Sequence, residues 1–178
     1  YKWLTIHAGY RNLHFGRYTL NNHTFLGGGI ELNPGKLRVA AMYGRLRQGI
    51  RETEENIDLF FRQPIYNRYA WGGKIASGSA SNYLDFTLFL AEDRDTNVDL
   101  PASAGLPAPA ENIVLGVNWK QQICKRVNTF AEIAFSGFNR NRQTPAVEPE
   151  EGSSAARLSR LFPIRYSGQA GLAARGGL

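Results

Sequence analysis

Apolar and polar side chains alternate at every second position in one stretch of this chain after another. The clearest case is residues 83–90, where Leu84, Phe86, Leu88 and Leu90 fall on one face and Tyr83, Asp85, Thr87 and Phe89 on the other. A period of two belongs to an extended strand whose faces meet different environments. The same rhythm sets Leu4, Ile6, Ala8 and Tyr10 against Trp3, Thr5, His7 and Gly9 within residues 2–10, and Leu26, Gly28, Ile30 and Leu32 against Phe25, Gly27, Gly29 and Glu31 within 24–32. It returns over 37–44, 68–77, 112–120 and 127–136, where Ile113, Leu115, Val117 and Trp119 share a face opposite Asn112, Asn118 and Lys120. A last strand begins near Tyr166, with Ala170, Leu172 and Ala174 opposite Gln169, Gly171, Ala173 and Arg175.

The connections alternate as regularly as the faces. Short ones at 33–36, 77–82 and 121–126 separate long ones at 11–22, 47–67, 92–111 and 139–165. In the first short one, Asn33-Pro34-Gly35-Lys36, Pro presets one turn dihedral and Gly supplies the positive one. Short turns at one end and long loops at the other are what an up-and-down barrel in an outer membrane requires, with strands of about nine to eleven residues to cross the hydrocarbon. The pattern predicts an all-β protein: an antiparallel up-and-down transmembrane β-barrel or barrel-wall fragment of about eight strands, with short periplasmic turns and long extracellular loops. Residues 1–178 read as a single barrel segment, expected to be truncated at both ends. Tyr10, Tyr43, Tyr69, Trp71 and Phe135 are expected near the long-loop ends and Trp119 near a short-turn end, as interfacial girdles.

The segment His23-Thr-Phe-Leu-Gly-Gly-Gly-Ile-Glu-Leu-Asn-Pro-Gly-Lys-Leu-Arg-Val-Ala-Ala-Met-Tyr-Gly-Arg-Leu46, together with Ala110-Glu-Asn-Ile-Val-Leu-Gly-Val117, resembles large outer-membrane β-barrel proteins of the Bacteroidetes type, many of them uncharacterised. The resemblance implies bacterial outer-membrane location and barrel architecture, and brings no catalytic motif.

Composition narrows the alternatives. The 178 residues are 43% hydrophobic and 20% charged, a chain that folds. No window holds the roughly 18 unbroken apolar residues of a membrane helix. A net charge of +6 raises nucleic acid as a partner, but the basic residues are spread over several loops and no recognition motif accompanies them, so none is expected. Cys124, the single cysteine, allows no internal disulfide and reads as a turn residue.

On the face opposite the apolar one stand His7, Glu31, Arg38, Lys74, Asp85, Asn118, Asn128 and Glu132, mixed in sign, the candidates for a wet or mutually paired lumen. Leu84, Phe86, Leu88, Leu90, Ile113, Leu115 and Val117 are the candidates for lipid contact. Asp93, Asp95, Asn97 and Asp99 recur at the spacing of calcium-loop ligands, but Val98 stands where that loop needs Gly and Ala104 where it needs Glu, leaving a weak signal. His7, His14 and His23 gather around the first long connection, and neither a nucleophile nor an orienting group is identified beside them. Gly27-Gly28-Gly29 lacks the Lys-Ser/Thr of a phosphate loop.

These observations lead to a non-enzymatic outer-membrane barrel protein with a structural, porin-like or transport-scaffold role, without cofactor, in contact with outer-membrane lipid and with other outer-membrane or periplasmic proteins as further partners. Two alternatives are a soluble extracellular carbohydrate-binding module that packs its apolar faces into a core, and an outer-membrane hydrolase or acyltransferase using His14 or His23.

Overall fold

The computed structural model describes residues 3–49, 66–94, 108–124, 127–142 and 169–178. Eight strands run through them: β1 (Leu4–His14), β2 (Asn21–Leu32), β3 (Leu37–Arg47), β4 (Asn67–Gly78), β5 (Tyr83–Arg94), β6 (Glu111–Cys124), β7 (Val127–Asn139) and β8 (Gln169–Gly177). They form one sheet in chain order, each antiparallel to the next. The up-and-down meander of eight strands is therefore present.

Closure is not. Among the described residues β1 pairs only with β2 and β8 only with β7, and no Cα of β1 comes within 8 Å of a Cα of β8. Hydrogen-bonded strands stand about 4.8 Å apart, so among the described residues the sheet is an open wall with two free edges.

Register sorts the side chains into rows across this wall. On one face Ile6, Ile30, Ala41, Gly73, Leu88, Leu115, Phe135 and Leu172 form one row, and Leu4, Leu32, Val39, Ile75, Phe86, Val117, Ile133 and Ala174 form the next. Both run from β1 to β8 without a polar residue. Toward the long connections follows a row with Tyr43, Trp71, Leu90 and Ile113, and toward the short turns one with Leu37, Leu84 and Trp119. Polar groups return beyond them, at Arg45, Glu92 and Glu111 on one side and at Gln121 and Thr129 on the other. Phe86 is 54% exposed, Ile75 57% and Leu172 75%, so among the described residues no second layer covers this face.

The buried cluster lies on the reverse face. Phe25, Met42, Ala70, Phe89, Ala91, Val114 and Ala134 point there from β2 to β7, and Phe15 and Leu20, from the connection between β1 and β2, complete the cluster. Two strands so far apart in the sheet, five spacings or about 24 Å if it were flat, share a cluster with one short segment because the sheet curls around it.

That segment corrects the sequence expectation for the first connection. The strands continue through Arg11 and Asn12, paired with Phe25 and Thr24, so a loop expected at 11–22 shrinks to 15–20 and turns inward instead of outward. The turn is closed by Phe15 N–H donating to the Leu20 carbonyl at 2.8 Å. A register shift between Leu13 and His14 and the left-handed backbone of Asn22, at φ 52°, mark the place where the hairpin leaves the plane of the sheet. Burial of Phe15 and Leu20, both 2% exposed, supplies the driving force.

Smaller differences have equally local causes. Phe135 sits mid-strand between Leu115 and Leu172 instead of at a long-loop end. β6 continues to Cys124, leaving two residues before β7, and Cys124 is an exposed strand end instead of a turn residue. At the first short turn Gly35 adopts φ 71°, the positive dihedral expected of it.

Candidate functional site

The hairpin tip, residues 15–20, lies against the inner face of β4 to β7, and glycines make its seat. A Cβ on Gly72 would meet the Phe15 ring at 3.0 Å, and one on Gly116 would meet Thr19 Cγ2 at 2.6 Å. Any larger side chain at either position occupies the space of the tip.

Two carboxylates from the wall hold the tip. Glu132 Oε1 accepts hydrogen bonds from the backbone N–H of Arg17 at 2.8 Å and of Tyr18 at 3.4 Å, while Oε2 accepts from Arg175 Nε at 2.7 Å. Asp85 acts through a lysine: Lys74 Nζ stands 3.0 Å from Asp85 Oδ2 and donates to the Phe15 carbonyl at 2.7 Å, and Asn118 Nδ2 donates to Asp85 Oδ1 at 2.7 Å. The Asp85 and Glu132 side chains are 3% and 7% exposed, so both charges depend on these donors for the solvation that water no longer supplies.

All eight residues singled out as polar candidates lie on the inner face. Lys74, Asp85, Asn118 and Glu132 converge on the tip; His7 and Glu31 pair across β1 and β2 at 2.9 Å; Arg38 stacks over the Tyr83 ring at 5.3 Å; Asn128 is exposed beside the β6–β7 turn. The seven apolar candidates occupy the outer face, although Ile113, at 3% exposure, is covered, sharing a shallow recess with Trp71, Leu90 and Gly137.

Sequence reasoning missed the tip, Arg17 and the seat glycines. Its signal was present in Phe15, Tyr18 and Leu20, three large residues within a supposed solvent loop.

Two cavities flank the tip. The larger, about 480 Å³, is lined by the tip together with Lys74, Tyr83, Asp85, Glu132 and Arg175. The smaller, about 150 Å³, lies between Glu31, Arg38 and Lys74. His14 and Phe15 border both.

A separate network ties the long-loop end together. Arg68 grips Asp93 with both prongs, Nε to Oδ1 at 2.7 Å and Nη2 to Oδ2 at 2.8 Å, and Ala110 N–H donates to Oδ2 at 3.2 Å. Of the residues considered for calcium, Asp93 is thus engaged by a guanidinium, and Asp95, Asn97 and Asp99 lie outside the described residues. Among the described residues no group of three potential metal ligands converges.

The histidines do not assemble a catalytic set among the described residues: His7 meets Glu31, His23 Nδ1 lies 2.9 Å from the Thr24 carbonyl oxygen, and His14 faces the cavities.

The chain matches no protein-family model, no curated protein and no solved structure.

Proposed function

We propose that this wall is part of a β-barrel in a bacterial outer membrane, with its apolar rows against acyl chains and its inner face partly filled by the β1–β2 hairpin tip. The supporting observation is the pair of outward rows that cross all eight strands without a polar side chain, flanked by polar rows toward both strand ends. In water, exposing that much contiguous apolar surface is unfavourable; in hydrocarbon it is the favoured arrangement. The free edges of β1 and β8 fit a segment of barrel wall, since lipid leaves no backbone group unpaired without cost.

The role is structural or transport-related, of the porin-like or scaffold type. The tip argues for a constricted interior over a wide bore, because Glu132 and Asp85 anchor chain where solute would otherwise pass. The resemblance to Bacteroidetes-type barrel proteins belongs with this reading, as do lipid and neighbouring outer-membrane or periplasmic proteins as partners.

Reconstitution into bilayers with bromine on the acyl chains tests it. Emission from Trp71 and Trp119, both on the apolar face, is expected to be quenched. A chain that stays monomeric and folded without detergent, and whose emission is unaffected by bromolipid, would overturn the membrane reading in favour of a soluble all-β module.

A further inference from the structure

We infer that the inner face beside the hairpin tip binds a small dissolved oxyanion, a phosphate or carboxylate, with Arg38 as its principal ligand. Among the described residues the inner face holds five permanent cations near the tip and the short-turn end but three carboxylates. Asp85 and Glu132 hold Lys74 and Arg175, and Glu31 faces His7. Among the described residues Arg17, Arg38 and Lys120 have no carboxylate within 4 Å, so the surplus charge there is positive and sits on these three.

Arg38 is the best placed of them. It lines the smaller cavity with His14, with Lys74, which is held by Asp85, and with the Glu31 carboxylate, which faces His7; its guanidinium lies over Tyr83, a residue that lines the larger cavity and pairs across the sheet with Lys120. Its Nε is buried and has no hydrogen-bond acceptor among the described residues. A buried donor without an acceptor is costly, and more so when it carries charge. A rotation of the guanidinium that uncovers Nε would let an oxyanion in the cavity accept from Nε and one Nη together, the paired geometry that a guanidinium offers and an ammonium does not. The space of about 150 Å³ accommodates an ion of phosphate size. Rings of arginine and lysine select anions in pores for the same electrostatic reason.

The inference goes beyond the membrane reading, and its test is independent of that reading: binding is measured on the purified full chain in detergent, whatever the outcome of bilayer quenching. Isothermal titration at low ionic strength with inorganic phosphate, and separately with acetate, is expected to show saturable binding of at least one. Arg38→Gln should weaken it by about tenfold or more, since a charge-assisted paired contact is removed. Arg38→Lys should retain part of it, and Lys36→Gln, altering an exposed turn, should leave it unchanged. Saturable binding by neither anion, or wild-type affinity in Arg38→Gln, overturns the inference. Should Arg38→Gln fail to fold, the wild-type titration and Arg38→Lys still decide: an affinity unchanged in Arg38→Lys counts against paired recognition at this residue.

Discussion

The Glu132 carboxylate on β7 stands 2.8 Å from the backbone nitrogen of Arg17, 115 residues earlier in the chain. A wall strand late in the sequence thus fixes the first hairpin through a main-chain group, and the identity of the Arg17 side chain has no part in the contact.

Glu132→Ala removes the acceptor for both tip amides and leaves Arg175 without its partner. A loss of about 2–4 kcal/mol is expected, the range for breaking a buried charged pair discounted for the partly exposed arginine. Arg17→Ala should cost less than about 0.5 kcal/mol, because an exposed side chain without a partner among the described residues is removed. Urea unfolding followed by tryptophan emission measures both, and equal losses would remove Glu132 from its anchoring role.

Gly116→Val should expel the tip without unfolding the wall. Even the first added carbon would lie 2.6 Å from Thr19 Cγ2, well inside contact distance. In a Cys124→Ser background, a Tyr18→Cys reporter should react with maleimide several-fold faster when Val is at 116. Unchanged labelling would mean that the glycine is not the seat.

Phe86→Arg places a charge in the middle of the outward apolar rows. In bilayers it is expected to destabilise the fold by about 2–4 kcal/mol, and Thr129→Arg, in the polar row near the short turns, by no more than about 1 kcal/mol. Folding titrations into liposomes compare the two, and equal effects would contradict a depth-dependent lipid environment.

Asp93→Asn weakens the two-pronged Arg68 contact. A cost of about 1–3 kcal/mol follows, independent of calcium, since a guanidinium and a backbone amide take the carboxylate. Melting with added calcium and with chelator should give the same difference; a calcium-dependent difference would restore the metal reading.

The wall was legible because period-two alternation is a direct imprint of strand geometry, and Leu84 to Leu90 carry it without interruption. Asp85, Glu132 and Lys74 could be assigned a face by parity alone. Their convergence could not, because curvature and a hairpin folding back are tertiary events with no periodic signature. Residues 11–14 read as loop because Arg11, Asn12 and His14 are polar, yet they pair as strand on a hairpin whose tip is buried. Parity assigned Ile113 and Val117 to one face, and the covering of Ile113 depends on the neighbours in its recess, which alternation does not encode.

The position of the tip also sets an order of events. Its seat is made of Gly72, Gly116 and Glu132, so the earliest hairpin in the chain has no docking surface until β7 has joined the sheet. Contacts so distant in sequence form late, because the intervening chain must be ordered before they offset its entropy. The amino-terminal turn thus settles only after β7 has joined, and protection of the Tyr18 reporter from maleimide during refolding should lag behind formation of β4 to β7.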